Sequence, residues 1–207
     1  MVTLTRQITM ASCPVTGGKR CHCNTLQIHQ KATELPVDLR SAVRVIFTEH
    51  AVYTSYLILE SLPTLDPDAA VVKALTERLL RNPHDMADLL APKVGVTNAT
   101  NVQQVFTKHL ELAAATLEPA RLGNTDKLTG AVTAFVTQGN DVARVLYSLN
   151  PSKLPLADME KEMTTHNNLV VQLVTFRSKR NADYWSLYDY YYSHLLFLAD
   201  TIYQALV

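Results

Sequence analysis

The chain has no net charge to offer a polyanion: nineteen lysines and arginines stand against nineteen aspartates and glutamates. A general nucleic-acid binder needs a clustered basic face for its phosphate contacts. The densest basic run here, Arg177, Lys179 and Arg180, falls where the pattern places a turn, so no nucleic-acid partner is expected. No apolar run reaches the roughly 18 residues that a membrane-spanning helix requires, so no membrane partner is expected either. The first thirty residues lack an apolar stretch of signal-peptide length. Cysteine is scarce, with Cys13, Cys21 and Cys23 all near the start. An odd count so confined is no disulfide framework and suits a reducing, cytoplasmic setting. Also missing are a Walker-type loop, a dinucleotide glycine fingerprint, a G-x-S-x-G elbow and HExxH, so no nucleotide cofactor is expected and no motif points to an enzyme.

What the chain does have is apolar residues at helical spacing. Hydrophobic residues make up 47% and charged residues 18%, the latter below the usual share of about 25%, which leaves enough for a substantial core. Residues 1–37 are set apart: they are rich in Thr, Gln, Lys and Gly, carry the turn sequence PVTGG, and close at Pro36. They read as an irregular arm. From residue 38 to 207 the stripe Leu39, Val43, Ile46, His50, Tyr53, Leu57 begins a helical bundle. The first helix should end before Pro63. The second should start with Asp66 as cap and Pro67 as first helical residue, and run toward Pro92. Further helices are expected over about 98–118, 124–149, 156–177 and 182–206, given the helical pattern and short loops. The fold expected is all-α, a six-helix antiparallel bundle of three related hairpins.

The hairpins share a mark. FTEH ends at His50, FTKH at His109 and MTTH at His166, intervals of 59 and 57 residues on the first, third and fifth helices. On the even helices HDMADLL, NDVARVL and ADTIYQAL place Asp85, Asp141 and Asp200 in apparent register, at intervals of 56 and 59. A shared period of this kind implies a triplicated hairpin and sets the three histidines at one level. Each Asp lies roughly 9–12 Å further along the axis at 1.5 Å rise per residue, and side chains leaning toward their own N-termini close part of that gap. Pro83 and Gly139 should bend the even helices, with Asn82 free to cap a restarted helix.

Three readings of this level stay open. One is an interior metal site for zinc, iron or manganese, with His50, His109 and His166 as ligands and Glu49, Asp85, Asp141, Asp189 or Asp200 as oxygen ligands or orienting partners. A second is a set of core histidines bonded to Asp or carbonyl groups in a structural or protein-interaction protein. A third is a small-molecule or acid–base pocket. The arm holds a separate thiol and imidazole set, Cys13, Cys21, His22 and Cys23, although C-x-C is not zinc-ribbon spacing. The sixth helix carries Tyr184, Trp185, Tyr188, Tyr190, Tyr191 and Tyr192 without interleaved basic residues, which suits core packing or a homo-oligomer interface.

Taken together, LRSAVRVIFTEHAVYTSYLI, RLLRNPHDMADLLAP, FTKHLELAAATL, NDVARVLYSLNP and YDYYYSHLLFLADTI resemble a family of bacterial helical-bundle proteins without an established activity. Some of its members are labelled acetylglutamate kinase or glycosyltransferase. The resemblance covers about residues 39–205 and leaves the cysteine arm outside. It is that of a homologue encoded by a large DNA virus, which implies a host-cell or virion setting. The family pattern falls on Glu49, His50, Asn82, Asp85, His109, Asn140, Asp141, His166, Asp189 and Asp200. Phe47 stands where members carry tryptophan, and Pro83 is an intrusion. The resemblance implies the fold and these positions, and no mechanism.

Overall fold

Apolar spacing of three and four residues produces helix throughout the computed structural model, which describes residues 38–62 and 66–207. The candidate ligands Cys13, Cys21, His22 and Cys23 lie outside the described residues. The described residues form α1 (Leu39–Ser61), α2 (Ala69–Leu80), α3 (Asn82–Val94), α4 (Val96–Ala114), α5 (Leu117–Arg121), α6 (Thr125–Leu149), α7 (Leu156–Ser178) and α8 (Tyr184–Leu206). Helices α2 and α3 run on as one rod broken at Arg81, and α5 is a short turn between α4 and α6. Six rods therefore make three hairpins, an all-α bundle. No described helix is long and apolar enough to cross a membrane.

The rods follow the chain around a ring. α1 packs on α2 and α3, α3 on α4, α4 on α6, α6 on α7, α7 on α8, and α8 returns to α1. The inward faces supply a continuous core that includes Val43, Phe47, Val102, Phe106, Phe135, Val142, Leu173, Tyr191 and Leu195. Where the ring closes, Arg40 donates through Nε and Nη2 to the Asp200 carboxylate at 3.0 and 2.9 Å, and Arg44 joins at 3.0 Å. The two guanidinium groups hold the Asp200 carboxyl below its usual range, the Arg40 hydrogen bond first among the causes.

Local chemistry corrects three expectations. Asp68, not Asp66, caps α2: its carboxylate accepts from Ala70 N and Val71 N at 2.8 and 3.2 Å, and the helix begins at Ala69 rather than Pro67. Pro83 does interrupt the rod, since it offers no N–H to the Leu79 carbonyl one turn back. Asn82, however, is not a cap. Its side chain is 1% exposed and serves the bundle interior. Helix α6 runs unbroken through Gly139. A Cβ at Gly139 would collide with the Asn167 side-chain amide on α7, so the glycine permits close approach of the two helices. Gly139→Ala should therefore destabilise the bundle by about 1–3 kcal/mol, the usual cost of overpacking. The measurement is the urea midpoint, which should fall with an unchanged slope.

Candidate metal centre: a buried histidine cluster

Three odd rods each aim one histidine at the same place. His50 on α1, His109 on α4 and His166 on α7 are 6%, 2% and 3% exposed. His166 lies between the others, its ring centroid 5.7 Å from that of His50 and 5.5 Å from that of His109. A fourth imidazole, His194 on α8, stands 6.0 Å from His166, and Tyr191 packs against His166 at 5.6 Å. One small cavity of about 20 Å³ on this layer is lined by the three rings with Thr54, Leu57 and Phe135. Another of about 20 Å³ is lined by the same rings with Met86, Met163 and Phe106. Each is large enough for about one water-sized guest.

In two of the hairpins the even rod reaches the turn before the histidine through one repeated device. The Asn82 amide donates to the Ile46 carbonyl at 2.8 Å, and the Gln138 amide donates to the Val105 carbonyl at 3.0 Å. In the third hairpin His194 stands in the corresponding place, its Nδ1 3.7 Å from the Glu162 carboxylate. The Ile46 and Val105 carbonyls lie four residues before His50 and His109, and residues 82, 138 and 194 recur every 56 residues. A carbonyl has two lone pairs, so each can accept this bond beside its helical one.

The device fixes the tautomer of His109. Because a carbonyl only accepts, the nitrogen of the Gln138 amide must face Val105, which turns its Oε1 toward His109 Nδ1 at 3.0 Å. Nδ1 therefore carries the hydrogen and donates it, and Nε2 keeps a free lone pair. In the first hairpin the Asn82 Oδ1 is buried without a hydrogen-bond partner. In the third hairpin His166 Nδ1 and His194 Nε2 are both buried without a hydrogen-bond partner. The Thr54 and Tyr191 hydroxyls nearby influence one another, yet neither completes a hydrogen bond.

Burial keeps these rings neutral. It pushes His50 down to about 4, with Asn82 opposing weakly. It pushes His109 down to about 3, aided by the nearby His50 charge and opposed by Gln138. His166 falls well below its ordinary value through burial and then the charges of His109, His50 and His194. Neutral imidazole is the form that binds a metal, so no proton need be lost at pH 7.

The carboxylates expected beside the histidines are elsewhere. Glu49 pairs with Arg78 at 2.9 Å, Asp141 with Arg144 at 3.1 Å on the surface, and Asp200 with Arg40 and Arg44. Asp189 is exposed and Asp85 half-buried. Among the described residues no group of three or more His, Cys, Asp or Glu side chains is set to hold a metal ion. Counted from the inner positions, the third hairpin has a different register from the one the aspartates give. Asp85 and Asp141 follow Asn82 and Gln138 by three residues, and the counterpart three residues after His194 is Phe197, not Asp200. A buried unpaired carboxylate costs far more than a buried amide, which accounts for amides at the inner positions. Asn82, Gln138 and His194 are thus the partners that identity-based matching misses. Their even spacing was the available signal.

Fold and site together define the class: an all-α bundle of helical hairpins around a core of neutral histidines. Compared with protein families, curated proteins and solved structures, the chain matches none.

Proposed function

We propose that the bundle interior binds one transition-metal ion through His50, His109 and His166. The observation that supports this most is the meeting of three neutral imidazoles from three helices at one level, with His109 held so that Nε2 can donate. Imidazoles sharing an ion at about 2.0–2.1 Å bring their ring centres to roughly 5 Å, close to the 5.5 and 5.7 Å found. Gln138, Asn82 and His194 would then be the outer partners that orient ligating histidines. Iron and manganese, which favour carboxylate oxygen, suit this nitrogen-only set less than zinc or copper does. The exposed Trp185 and Tyr190 on α8 are the surface this reading assigns to a second copy, which sedimentation would detect.

A different observation favours a structural role. The amide-to-carbonyl bonds tie α3 to α1 and α6 to α4 and fix helix register without any ion, as buried polar groups do in some bundles. Elemental analysis of untagged protein, purified without chelator and then offered metal, separates the two. The metal reading expects near one ion per chain, retained when residues 1–36 are removed and lost in a His50→Ala/His109→Ala/His166→Ala variant. If metal leaves only with residues 1–36, the ligands are the cysteines. If no sample takes up metal, the histidines serve the core alone.

A further inference from the structure

Independently of the metal reading, we infer that the turn between α7 and α8 binds a small aromatic anion, a carboxylate or phosphate carried on a flat ring. Arg177, Arg180 and Trp185 are the residues that would recognise it. A cleft of about 320 Å³ opens at this turn, a volume within the range of small-molecule sites. It is lined by Arg177 from the last turn of α7, Arg180 and Asn181 from the connection, Tyr184 and Trp185 from the first turn of α8, and Leu59 from α1. Polar atoms as well as carbon face it, and among the described residues no aspartate or glutamate lines it. Asp183 and Glu60, the acids adjacent in sequence, are exposed and outside the lining.

Cations are favoured at any helix C-terminus, but two features set this turn apart. Arg180 has a φ of 51°, in the left-handed region that side chains avoid. Its N–H donates to the Arg177 carbonyl at 3.0 Å and the Asn181 N–H to the Phe176 carbonyl at 2.9 Å. That pair of bonds closes a helix around a position where glycine is the usual residue. Backbone outliers of this kind concentrate at ligand sites, and here a long cation stands where the turn itself asks for no side chain. The second feature is Arg177, which is half-buried and which the ion pairs of the described residues leave out. Its Nε is buried without a hydrogen-bond partner, and its Nη2 reaches the Leu59 carbonyl only at 3.5 Å. The planar guanidinium fork matches the paired oxygens of a carboxylate or phosphate. The ring preference comes from Trp185, which is 58% exposed yet braced at right angles by Tyr184 at 5.2 Å and Tyr188 at 6.2 Å. An indole so held offers a flat surface for stacking. The Tyr184 hydroxyl is engaged with Ser55 at 3.0 Å, so that ring serves as wall.

Trp185 is the single tryptophan of the chain, so its fluorescence reads the cleft directly. The full chain is titrated with phenyl phosphate and with benzoate, beside benzyl alcohol and inorganic phosphate as controls. Low chain concentration keeps a second copy from covering Trp185. We expect saturable quenching by at least one of the two aromatic anions, weakened by salt, and much weaker binding of the alcohol and of phosphate alone. Arg180→Gly suits the left-handed backbone and should keep the helical circular dichroism. Its affinity for the anion should nevertheless drop by about tenfold or more, as loss of a charge-assisted hydrogen bond does. Arg177→Gln should show the same drop by calorimetry. Benzyl alcohol bound as tightly as either anion, affinity indifferent to both arginine changes, or no saturable signal from either anion overturns the site. Inorganic phosphate bound as tightly as phenyl phosphate overturns the role of Trp185.

Discussion

Between pH 6.5 and pH 4 the metal-free bundle should lose several kcal/mol of stability, and histidine should be the cause. The free energy follows from proton linkage. His50, His109 and His166 have folded-state values pushed below the ordinary 6.5, to about 4 for the first and about 3 for the second. The unfolded chain therefore binds more protons than the folded one below pH 6.5. Their contribution is fully present above 6.5 and is lost as pH falls toward the folded values. Each histidine can supply a slope of about 1.4 kcal/mol per pH unit, so three give about 4. That is large against the 5–15 kcal/mol typical of a domain. Asp38 and Asp200 also have lowered values, but they titrate below the ordinary carboxylate value near 3.8 and leave the window above pH 4 to histidine. Urea midpoints between pH 8 and pH 5 provide the check. They should be level from 8 to 7 and fall steeply below 6.5, and His166→Leu should flatten the fall. A level profile down to pH 5 would mean that these rings are not buried as neutral groups.

The second large effect is expected at Gln138. Replacing it with leucine leaves the His109 N–H and the Val105 carbonyl without their side-chain partner. The buried N–H is the costly one, and the loss should be about 2–3 kcal/mol. Removing both members in Gln138→Leu/His109→Leu should cost less than the two single changes added together, with a coupling of about 1–3 kcal/mol, because no orphan remains. The single variant should also weaken metal uptake by about 10–100-fold, since a ligating imidazole loses the group that orients it. Additive losses in the cycle would show that Gln138 only packs against His109. Unchanged metal affinity would remove it from the site.

The helices were legible because their signal is local and repeated. The stripe from Leu39 to Leu57 and the prolines at 63, 92, 119 and 151 mark the rods within a few residues. The level of His50, His109 and His166 was legible too, since equal spacing on alternate antiparallel rods puts side chains at equal height. Their partners were not. Asp85, Asp141 and Asp200 catch the eye as identical letters, whereas the inner position is filled by an asparagine, a glutamine and a histidine. These share the ability to donate to a carbonyl while differing in identity. Matching by letter therefore selects Asp200, which pairs with arginines at the ring closure, where counting from the inner residues gives Phe197. At Gly139, too, the decisive signal was non-local. A glycine within a helix suggests a weak point, but the requirement at this position comes from Asn167 on the neighbouring rod, a contact that sequence spacing does not reveal.

Nitrogen-15 spectroscopy of the histidine rings, on metal-free protein near pH 6 and again after metal is added, tests the central claim most directly. It reads the protonation state and tautomer of each imidazole. Three buried rings should be neutral at that pH, His109 should carry its hydrogen on Nδ1, and added metal should shift the Nε2 resonances of His50, His109 and His166 together. Protonated rings, a hydrogen on His109 Nε2, or Nε2 resonances that ignore every metal offered would contradict it.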